Sequence, residues 1–262
     1  MKKQMKKVFG LAGAAALTVA LAASVHAGPR LDQIMETQTI RVGTPGDYRP
    51  FAIQTDNGSY EGHDIDVIAA MADELGWEIE YVQTSWPDLL ADIQADKFDI
   101  AVGGITRNAA RLAQVDMLPG YAPFGKVALV RKDEADQYKT LEDLNQPEVH
   151  VIKNPGGTNE EFVLQYLTDA KVSTHDSNAE IPGLIAAGEG DVMITETFEA
   201  LHYSNEDQRL AALFVDEPLT PQHELGFMLP TDDADYIRVM KFAWDLMDTR
   251  GVLNQSAEQW LR

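Results

Sequence analysis

Short β-rich runs alternate with helix-like runs along this 262-residue chain, and this alternation is the feature that most restricts its fold. Strand-like runs at 39–43 and 78–83 flank a helix-like run that ends at Gly76. The same order recurs at 149–153, 161–169 and 171–174. Strands joined through helices form largely parallel sheets, and their ligands bind beyond the carboxyl ends of the strands. The sequence therefore predicts an α/β protein.

The first 27 residues have the pattern of a secretory signal peptide. Four lysines precede an apolar run from Val8 to Val25, and cleavage is expected after Ala27. A membrane anchor is the alternative, because the run approaches the length that spans a bilayer. The chain has no cysteine, which excludes disulfides, thiolate zinc sites and lipid attachment through an N-terminal Cys.

The charge of the chain restricts its partners. The formal net charge is −21, and removal of residues 1–27 takes away four lysines and no acidic residue, which lowers it to −25. Nucleic acids and anionic membrane surfaces would be repelled by this field. If the substrate is an anion, individually placed Arg and Lys residues must hold it against the global charge.

The length after cleavage suits two lobes of ordinary size. The runs 125–131 and 225–229 read as extended strands that cross between the lobes. We therefore expect lobe 1 to comprise residues 28–128 and 225–262, and lobe 2 to comprise residues 129–224. A chain that crosses twice forms a hinge, and the cleft between the lobes is where a ligand would bind.

The turn Asn154-Pro155-Gly156-Gly157-Thr158-Asn159-Glu160 separates a strand-like run from a helix-like run. Its glycines let backbone N–H groups approach an anion closely, and the start of the next helix adds more of them. A carboxylate such as that of Glu160 is unexpected at an anion-binding turn, unless its side chain points away from the anion or has a separate function. Thr158 and Glu161 fit a capping box, which would leave Glu160 unengaged.

Several motifs resemble those of the periplasmic amino-acid-binding proteins of ABC transporters. They are Gly46 to Phe51, Gly62-His63-Asp64-Ile65-Asp66, Phe98-Asp99-Ile100, Gly104-Ile105-Thr106 followed by Arg111, Gly157-Thr158, and Asp191 to Glu196. The resemblance implies the type II periplasmic binding protein fold, with two lobes, each a mostly parallel sheet flanked by helices, and two crossover strands as hinge. It also implies that Arg111 pairs with the α-carboxylate of the ligand and that Glu196 receives the ammonium. The chain departs from the family pattern at Ala110, where an acid is usual, and at Glu196, where Asp is usual.

A narrower resemblance is to the cyclohexadienyl dehydratases, which convert prephenate to phenylpyruvate and arogenate to phenylalanine. It rests on Gly46-Asp47-Tyr48-x-Pro50-Phe51, Thr84-Ser85-Trp86-Pro87-x-Leu89, Gly125-Lys126, the complete turn Asn154 to Glu160, and Asn178. The resemblance implies that Glu160 is the general acid and that Lys126 and Arg111 hold substrate anions. Asn154 belongs to the same catalytic motif. The remaining substrate-binding candidates are Tyr48, Trp86, Gly104, Thr106, Gly157, Thr158, Asn159 and Glu196.

The dehydration of prephenate explains why such residues are needed. The ring hydroxyl leaves as water while a carboxylate leaves as carbon dioxide, so the protein must hold a dianion and protonate the departing oxygen. Aromatic side chains such as Tyr48, Phe51 and Trp86 could form a wall for the ring. A helix N-terminus and nearby cations lower the pKa of a carboxyl group, whereas a general acid at neutral pH needs it raised by about two units. We therefore expect Glu160 to act as an acid chiefly when the cleft is closed and occupied.

Two hypotheses of different classes remain. The chain shows no phosphate-binding loop, dinucleotide fingerprint, catalytic Ser-His-Asp order or metal-ligand spacing, so we expect no cofactor and no metal. The first hypothesis is a periplasmic dehydratase that acts on a small anionic or zwitterionic substrate. The second is a non-catalytic solute-binding protein that delivers an amino acid to an ABC transporter permease. A glutamate at the position of Glu160 also occurs in non-catalytic binding proteins, so its presence does not distinguish the two hypotheses.

Overall fold

The structure, a computed structural model, describes residues 28–261. The predicted signal peptide lies outside these residues, so its cleavage stays a prediction. The strands are β1 Thr39–Thr44, β2 Asp47–Tyr48, β3 Ala52–Gln54, β4 Tyr60–Glu61, β5 Glu78–Gln83, β6 Ile100–Ala101, β7 Asp116–Met117, β8 Tyr121–Phe124, β9 Lys126–Arg131, β10 His150–Lys153, β11 Lys171–Thr174, β12 Val192–Glu196, β13 Leu210–Leu213, β14 His223–Leu225 and β15 Met228–Leu229.

The α-helices of the described range are α1 Pro29–Thr37, α2 His63–Leu75, α3 Leu89–Gln94, α4 Ala109–Leu112, α5 Leu141–Leu144, α6 Gly157–Tyr166, α7 Ile181–Ala187, α8 Thr197–Glu206, α9 Ala234–Thr249 and α10 Val252–Trp260. Short 3-10 helices span Ala135–Gln137 and Asn178–Glu180. None of the helices within residues 28–261 is both long enough and apolar enough to cross a bilayer.

Two five-stranded sheets form the centres of two lobes. The first has the order β5-β1-β6-β15-β7, and the second has the order β11-β10-β12-β9-β13. In each sheet three neighbouring strands run parallel to one another, namely β5, β1 and β6 in the first and β11, β10 and β12 in the second. Each of the two remaining strands is antiparallel to the strand before it in the sheet order. This mixed α/β architecture confirms the predicted two-lobed fold.

The hinge lies beside the segments that the sequence predicted. Strand β9 belongs wholly to the second sheet and β15 to the first, while the antiparallel pair β8 and β14 links the two lobes. The predicted boundary at residue 128 therefore falls inside β9. We propose that lobe 2 begins near Gly125, because β9 pairs with β12 and β13 along its length.

Each lobe is held by its own apolar core. Helices α2 and α9 pack on the first sheet, and their buried residues join those of β1 in one cluster. Both faces of the second sheet are covered, and five of the six residues of β9 are buried. Strands buried on both faces read as continuous apolar runs, which is why β9 was recognisable as a strand but not assignable to a lobe.

Helix α6 begins at Gly157, four residues earlier than predicted. Gly156 is the N-cap, and both Gly156 and Gly157 have positive φ values, of 74° and 73°. The predicted capping box was wrong, because Thr158 lies inside the helix and the Gly156 N–H donates to Glu160 Oε2 at 2.8 Å. Two glycines in the left-handed region let the turn pass directly into the helix. Glu160, rather than Glu161, closes the cap.

Asp64 holds the loop after β6 in the conformation that places Gly104 at the cleft. This fully buried carboxylate accepts hydrogen bonds from the Gly103 and Gly104 N–H groups at 2.9 and 2.8 Å and from the Tyr121 hydroxyl. The two glycine N–H groups contact Oδ2, whereas the Tyr121 hydroxyl contacts Oδ1, from which the His63 Nδ1 lies 2.9 Å away. The loop after β6 therefore depends on a side chain at the start of α2.

We predict that Asp64→Ala lowers the free energy of unfolding by roughly 2 to 5 kcal/mol, because it leaves buried N–H groups unpaired. Asp64→Asn should cost less, since its carbonyl oxygen can still accept from both glycines. Urea unfolding measures both changes. Asp73→Ala, at an exposed position of the same helix, is the control and should stay within about 0.5 kcal/mol of wild type. An Asp64→Ala variant as stable as this control would contradict the assignment.

Candidate active site

A cavity of about 20 Å³ lies between the lobes. Its wall consists of Tyr48, Trp86, Gly104, Thr106, Arg111, Asn154, Gly156, Gly157, Thr158, Asn159, Asn178 and Glu196. Ten of these are residues that the sequence proposed for the site. Two other candidates, Lys126 and Glu160, are absent from the wall, and Asn178 and Gly156 are present in it.

The lobes touch each other directly across this cavity. From lobe 1, the Tyr48 hydroxyl donates to Glu196 Oε2 at 2.6 Å and the Thr106 hydroxyl donates to Glu196 Oε1 at 3.0 Å. The hydroxyls of Thr106 and Thr158 are 3.2 Å apart. Burial raises the pKa of Tyr48 well above its usual value, so this hydroxyl keeps its proton. The structure is the closed form of the cleft.

Lys126 is paired inside lobe 2. It stands opposite Glu196 in the antiparallel pair of β9 and β12. Its Nζ donates to Glu196 Oε1 at 2.9 Å, to Thr158 Oγ1 at 2.8 Å and to Asn159 Oδ1 at 2.5 Å. Burial lowers the pKa of Lys126, and the nearby Glu196 carboxylate opposes that shift. The ammonium thus compensates Glu196 before any ligand arrives.

Glu160 lies between a lysine and the N-terminus of α6. Its carboxylate contacts the Lys153 ammonium and accepts from the Gly156 N–H. Lys153 holds the pKa of Glu160 below its usual value, and the Gly156 hydrogen bond acts in the same direction. In the closed cleft its side chain remains 28% exposed. In this structure Glu160 is therefore not desolvated, and its role as the acid in the occupied cleft stays a prediction.

Glu199 has the properties that Glu160 lacks. It is fully buried, and its two oxygens contact Asn178 Nδ2, at 2.6 Å, and the Thr195 hydroxyl. Burial raises the pKa of Glu199 well above 4.5, and the charge of Glu196 adds to the shift. Glu199 therefore keeps a proton where an exposed glutamate would lose it. The sequence offered no sign of this, since an acid in the first turn of a helix is ordinarily a capping or dipole partner.

Asn178 connects Glu199 to the cavity. Its Nδ2 is bonded to Glu199, whereas its buried Oδ1 has no hydrogen-bond partner among residues 28–261. Buried side-chain acceptors without a partner are rare and call for an explanation. Because Asn178 lines the cavity, its carbonyl oxygen can accept a hydrogen bond from a ligand.

Asp47 ties the aromatic wall to lobe 2. Its carboxylate accepts from Trp86 Nε1 at 2.9 Å and from the backbone N–H of Asn178 at 3.0 Å. Trp86 meets Tyr48 edge to face, with ring centroids 5.5 Å apart. Phe51, also considered for this wall, is buried behind Tyr48 and stacks on it. The aromatic part of the cavity wall is therefore formed by Tyr48 and Trp86.

Arg111 and the start of α6 form the cationic part of the cavity wall. The Arg111 Nη1 donates to the Thr106 carbonyl oxygen at 2.7 Å, which orients the guanidinium. Burial lowers the pKa of Arg111, but a guanidinium remains charged in proteins. Its other N–H groups and the N-terminal turn of α6 suit a carboxylate.

Comparison with known proteins places this site in a family. Residues 40–262 match the bacterial extracellular solute-binding proteins, family 3. The chain belongs to this family. It is 37% identical over 248 residues to the cyclohexadienyl dehydratase of Pseudomonas aeruginosa, covering 94% of this chain and 92% of that protein.

Solved structures show similarity to the same kinds of protein. An ancestral amino acid-binding protein, a precursor of cyclohexadienyl dehydratase, superposes with a TM-score of 0.82 at 34% identity, covering 89% of this chain and 100% of that one. An ancestral cyclohexadienyl dehydratase is 46% identical, with a TM-score of 0.55, covering 90% and 98%. The family thus includes binders and an enzyme, and the fold alone does not distinguish them.

We predict that Glu199→Gln stabilises the protein increasingly as the pH rises. Because the folded-state pKa of Glu199 is raised, wild-type stability is fully present below the ordinary value of 4.5 and is lost as the pH rises toward the folded value. The glutamine variant has no such loss, so the difference should grow by about 1.4 kcal/mol per pH unit in this window.

Urea unfolding at pH 5, 6 and 7 tests this prediction. Glu206→Gln, at an exposed position of the same helix, is the control and should not reproduce the growing difference. A constant difference for Glu199→Gln across these pH values would mean that Glu199 is ionised in the folded protein.

Proposed function

We propose that this chain is a cyclohexadienyl dehydratase of the bacterial periplasm, exported by removal of residues 1–27. The observation that carries the proposal is the fully buried carboxyl group of Glu199, whose pKa burial raises, bonded to Asn178, which has an unpartnered acceptor and lines the cavity. A receptor that only binds its ligand has no need of a proton donor there. The similarity to cyclohexadienyl dehydratases over nearly the whole chain supports this reading.

The residues of the cavity match the parts of prephenate. A carboxylate of the substrate lies against Arg111 and the N-terminal turn of α6, and the ring lies against the wall formed by Tyr48 and Trp86. Asn178 Oδ1 accepts a hydrogen bond from the ring hydroxyl, which holds that oxygen at the side of the cavity where Glu199 lies. Asn154 is the remaining polar side chain that we assign to substrate positioning.

The reaction then requires one proton from the protein. Glu199 does not itself line the cavity, so its proton must pass Asn178 to reach the departing hydroxyl; the ring C–O bond then breaks, and water leaves. The C–C bond to the ring carboxylate breaks at the same time, and its electron pair restores the aromatic ring as carbon dioxide is released. Glu199 is left as a carboxylate and regains a proton from solvent, so one proton is consumed per turnover. Glu196 accepts hydrogen bonds from Lys126, Thr106 and Tyr48, so we assign it an acceptor role and not the donor role.

A second candidate function is that of a non-catalytic receptor that delivers an amino acid to an ABC transporter permease. The similarity to an ancestral amino acid-binding protein favours it. Incubation of the purified protein with prephenate, followed by detection of phenylpyruvate, separates the two. Turnover supports the dehydratase, whereas tight amino acid binding without turnover establishes the receptor.

We predict that Glu199→Gln lowers kcat for prephenate by about 10²- to 10⁴-fold, because general acid catalysis contributes that much, while binding of prephenate persists. Glu160→Gln should retain kcat within a few fold, since Glu160 is already bonded to Lys153 and Gly156. Stopped assays of phenylpyruvate formation measure kcat, and calorimetry measures binding.

The exposed residues Glu206 and Glu161 provide matched controls on the same two helices. Glu206→Gln and Glu161→Gln should both behave as wild type. Loss of turnover in Glu160→Gln together with full activity in Glu199→Gln would return the acid role to Glu160.

A further inference from the structure

We propose that the proton which Glu199 gives up in each turnover is returned from solvent through the side chains of His202 and Tyr203, along one face of helix α8. This inference rests on the proposed function and deepens it, because the dehydration consumes one proton per turnover. Glu199 is fully buried. A buried acid can act repeatedly only if protons reach it from outside.

The sequence places the side chains of this route in one stripe. Glu199, His202, Tyr203 and Glu206 stand at positions i, i+3, i+4 and i+7 of α8, which is the spacing of one helix face. Neighbours three or four residues apart have Cβ atoms about 5–6 Å from each other. Helical side chains also lean toward the N-terminus of their helix. Tyr203 therefore leans toward Glu199, and Glu206 leans toward His202.

Burial decreases along the stripe. Glu199 is 0% exposed, whereas the side chains of His202 and Glu206 are 17% and 61% exposed. The rings of His202 and Tyr203 meet edge to face, with centroids 5.3 Å apart. His202 Nε2 lies 3.3 Å from Glu206 Oε2 without the geometry of a hydrogen bond. Because these three residues do not line the cavity, the route reaches solvent behind the cavity wall.

Two polar atoms of the stripe are buried without a hydrogen-bond partner among residues 28–261, namely the Tyr203 hydroxyl and His202 Nε2. A third such atom is Oδ1 of Asn178, the residue bonded to Glu199, and Arg107 Nε is the fourth. Buried polar atoms are normally satisfied by protein groups or by ordered water. Hydroxyl, imidazole and water can each donate and accept. The unpartnered atoms thus lie where a chain of such groups would pass a proton to Glu199.

One proton enters and none is lost in this return. His202 takes up a proton from solvent. The Glu199 carboxylate takes the proton of the Tyr203 hydroxyl, and in the same step the hydroxyl oxygen takes a proton from His202, directly or through a bridging water. The carboxylate of Glu206 is not needed, because solvent reaches this exposed position itself. Its replacement by glutamine therefore leaves the route open.

The charges around the stripe favour this order of transfer. Burial raises the pKa of Tyr203, and the charge of Glu199 adds to the shift, so the hydroxyl is not left as a phenolate between steps. Burial lowers the pKa of His202, and Arg49 of lobe 1 acts in the same direction. A proton taken up by His202 is therefore readily passed on. The other charged groups that act on these two residues are Glu206 and Asp47.

The first test removes the Tyr203 hydroxyl and keeps the ring. Tyr203→Phe should lower the steady-state kcat for prephenate at least about tenfold, less than the loss of the acid itself, because a slower return through the open cleft remains. The first turnover should keep its wild-type rate, since Glu199 is protonated when the substrate is added. Rapid quenching should therefore show a burst of about one phenylpyruvate per site. A merely structural role of Tyr203 would slow the first turnover as well.

Imidazole added to the assay should restore part of the lost steady-state rate of Tyr203→Phe, because a small acid can carry protons to Glu199. His202→Gln should show the same burst followed by slow turnover. Tyr166→Phe, at an exposed position of α6, is the control and should behave as wild type. A wild-type steady-state kcat in Tyr203→Phe, without a burst, would overturn the inference and leave the dehydratase function in place.

The second test follows the proton of Glu199 without turnover. Infrared spectroscopy detects the carbonyl band of a protonated carboxyl group, and loss of this band in Glu199→Gln assigns it. After transfer to D₂O the band should shift at least about tenfold more slowly in Tyr203→Phe than in wild type, because the route for exchange is interrupted. Equal exchange rates, or absence of the band from the wild-type spectrum, would overturn the inference.

Tyr203→Phe loses no hydrogen bond within residues 28–261, so its stability should match that of wild type. Near-ultraviolet circular dichroism shows whether each variant is folded, and His202→Gln decides both tests if Tyr203→Phe does not fold. If the wild-type protein does not turn over prephenate, the dehydratase proposal fails, and the exchange rates alone decide the inference.

Discussion

The buried pair of Lys126 and Glu196 is the interaction on which the rest of the site depends. A buried ion pair recovers the cost of desolvation only when its remaining donors and acceptors are satisfied. Here lobe 2 supplies Thr158 and Asn159 for the ammonium, and lobe 1 supplies Tyr48 and Thr106 for the carboxylate. Closure of the lobes therefore completes the hydrogen bonding of the pair, and the pair in turn draws the lobes together.

The two carboxyl groups at the start of α8 show how surroundings divide one residue type into two roles. Glu196 meets an ammonium and two hydroxyls, while Glu199, three residues later, meets an amide and a hydroxyl inside the apolar lobe. The first accepts from a cation, whereas burial of the second favours its neutral form. Glu160, with Lys153 beside it and a helix N-terminus below, belongs with the first kind.

Binding and catalysis differ in this fold by a small number of groups. The hinge, the two sheets and the cationic end at Arg111 serve either purpose, because both need a ligand enclosed between lobes. A proton stored behind the wall is useful only for bond breaking.

The sequence by itself determined the architecture and much of the wall of the cavity. Strands such as β5 and β11, helix α7, and the stop of α2 at Gly76 follow from periodicity and glycine position, which are local properties. Tertiary structure decided what the side chains do. Lys153 was read only as part of a strand, yet it engages Glu160, and Glu199 is a neutral acid only because Asn178, Thr195 and the core of lobe 2 surround it. A pKa depends on burial and on neighbours that are distant in the chain, and neither is written in the residues around it.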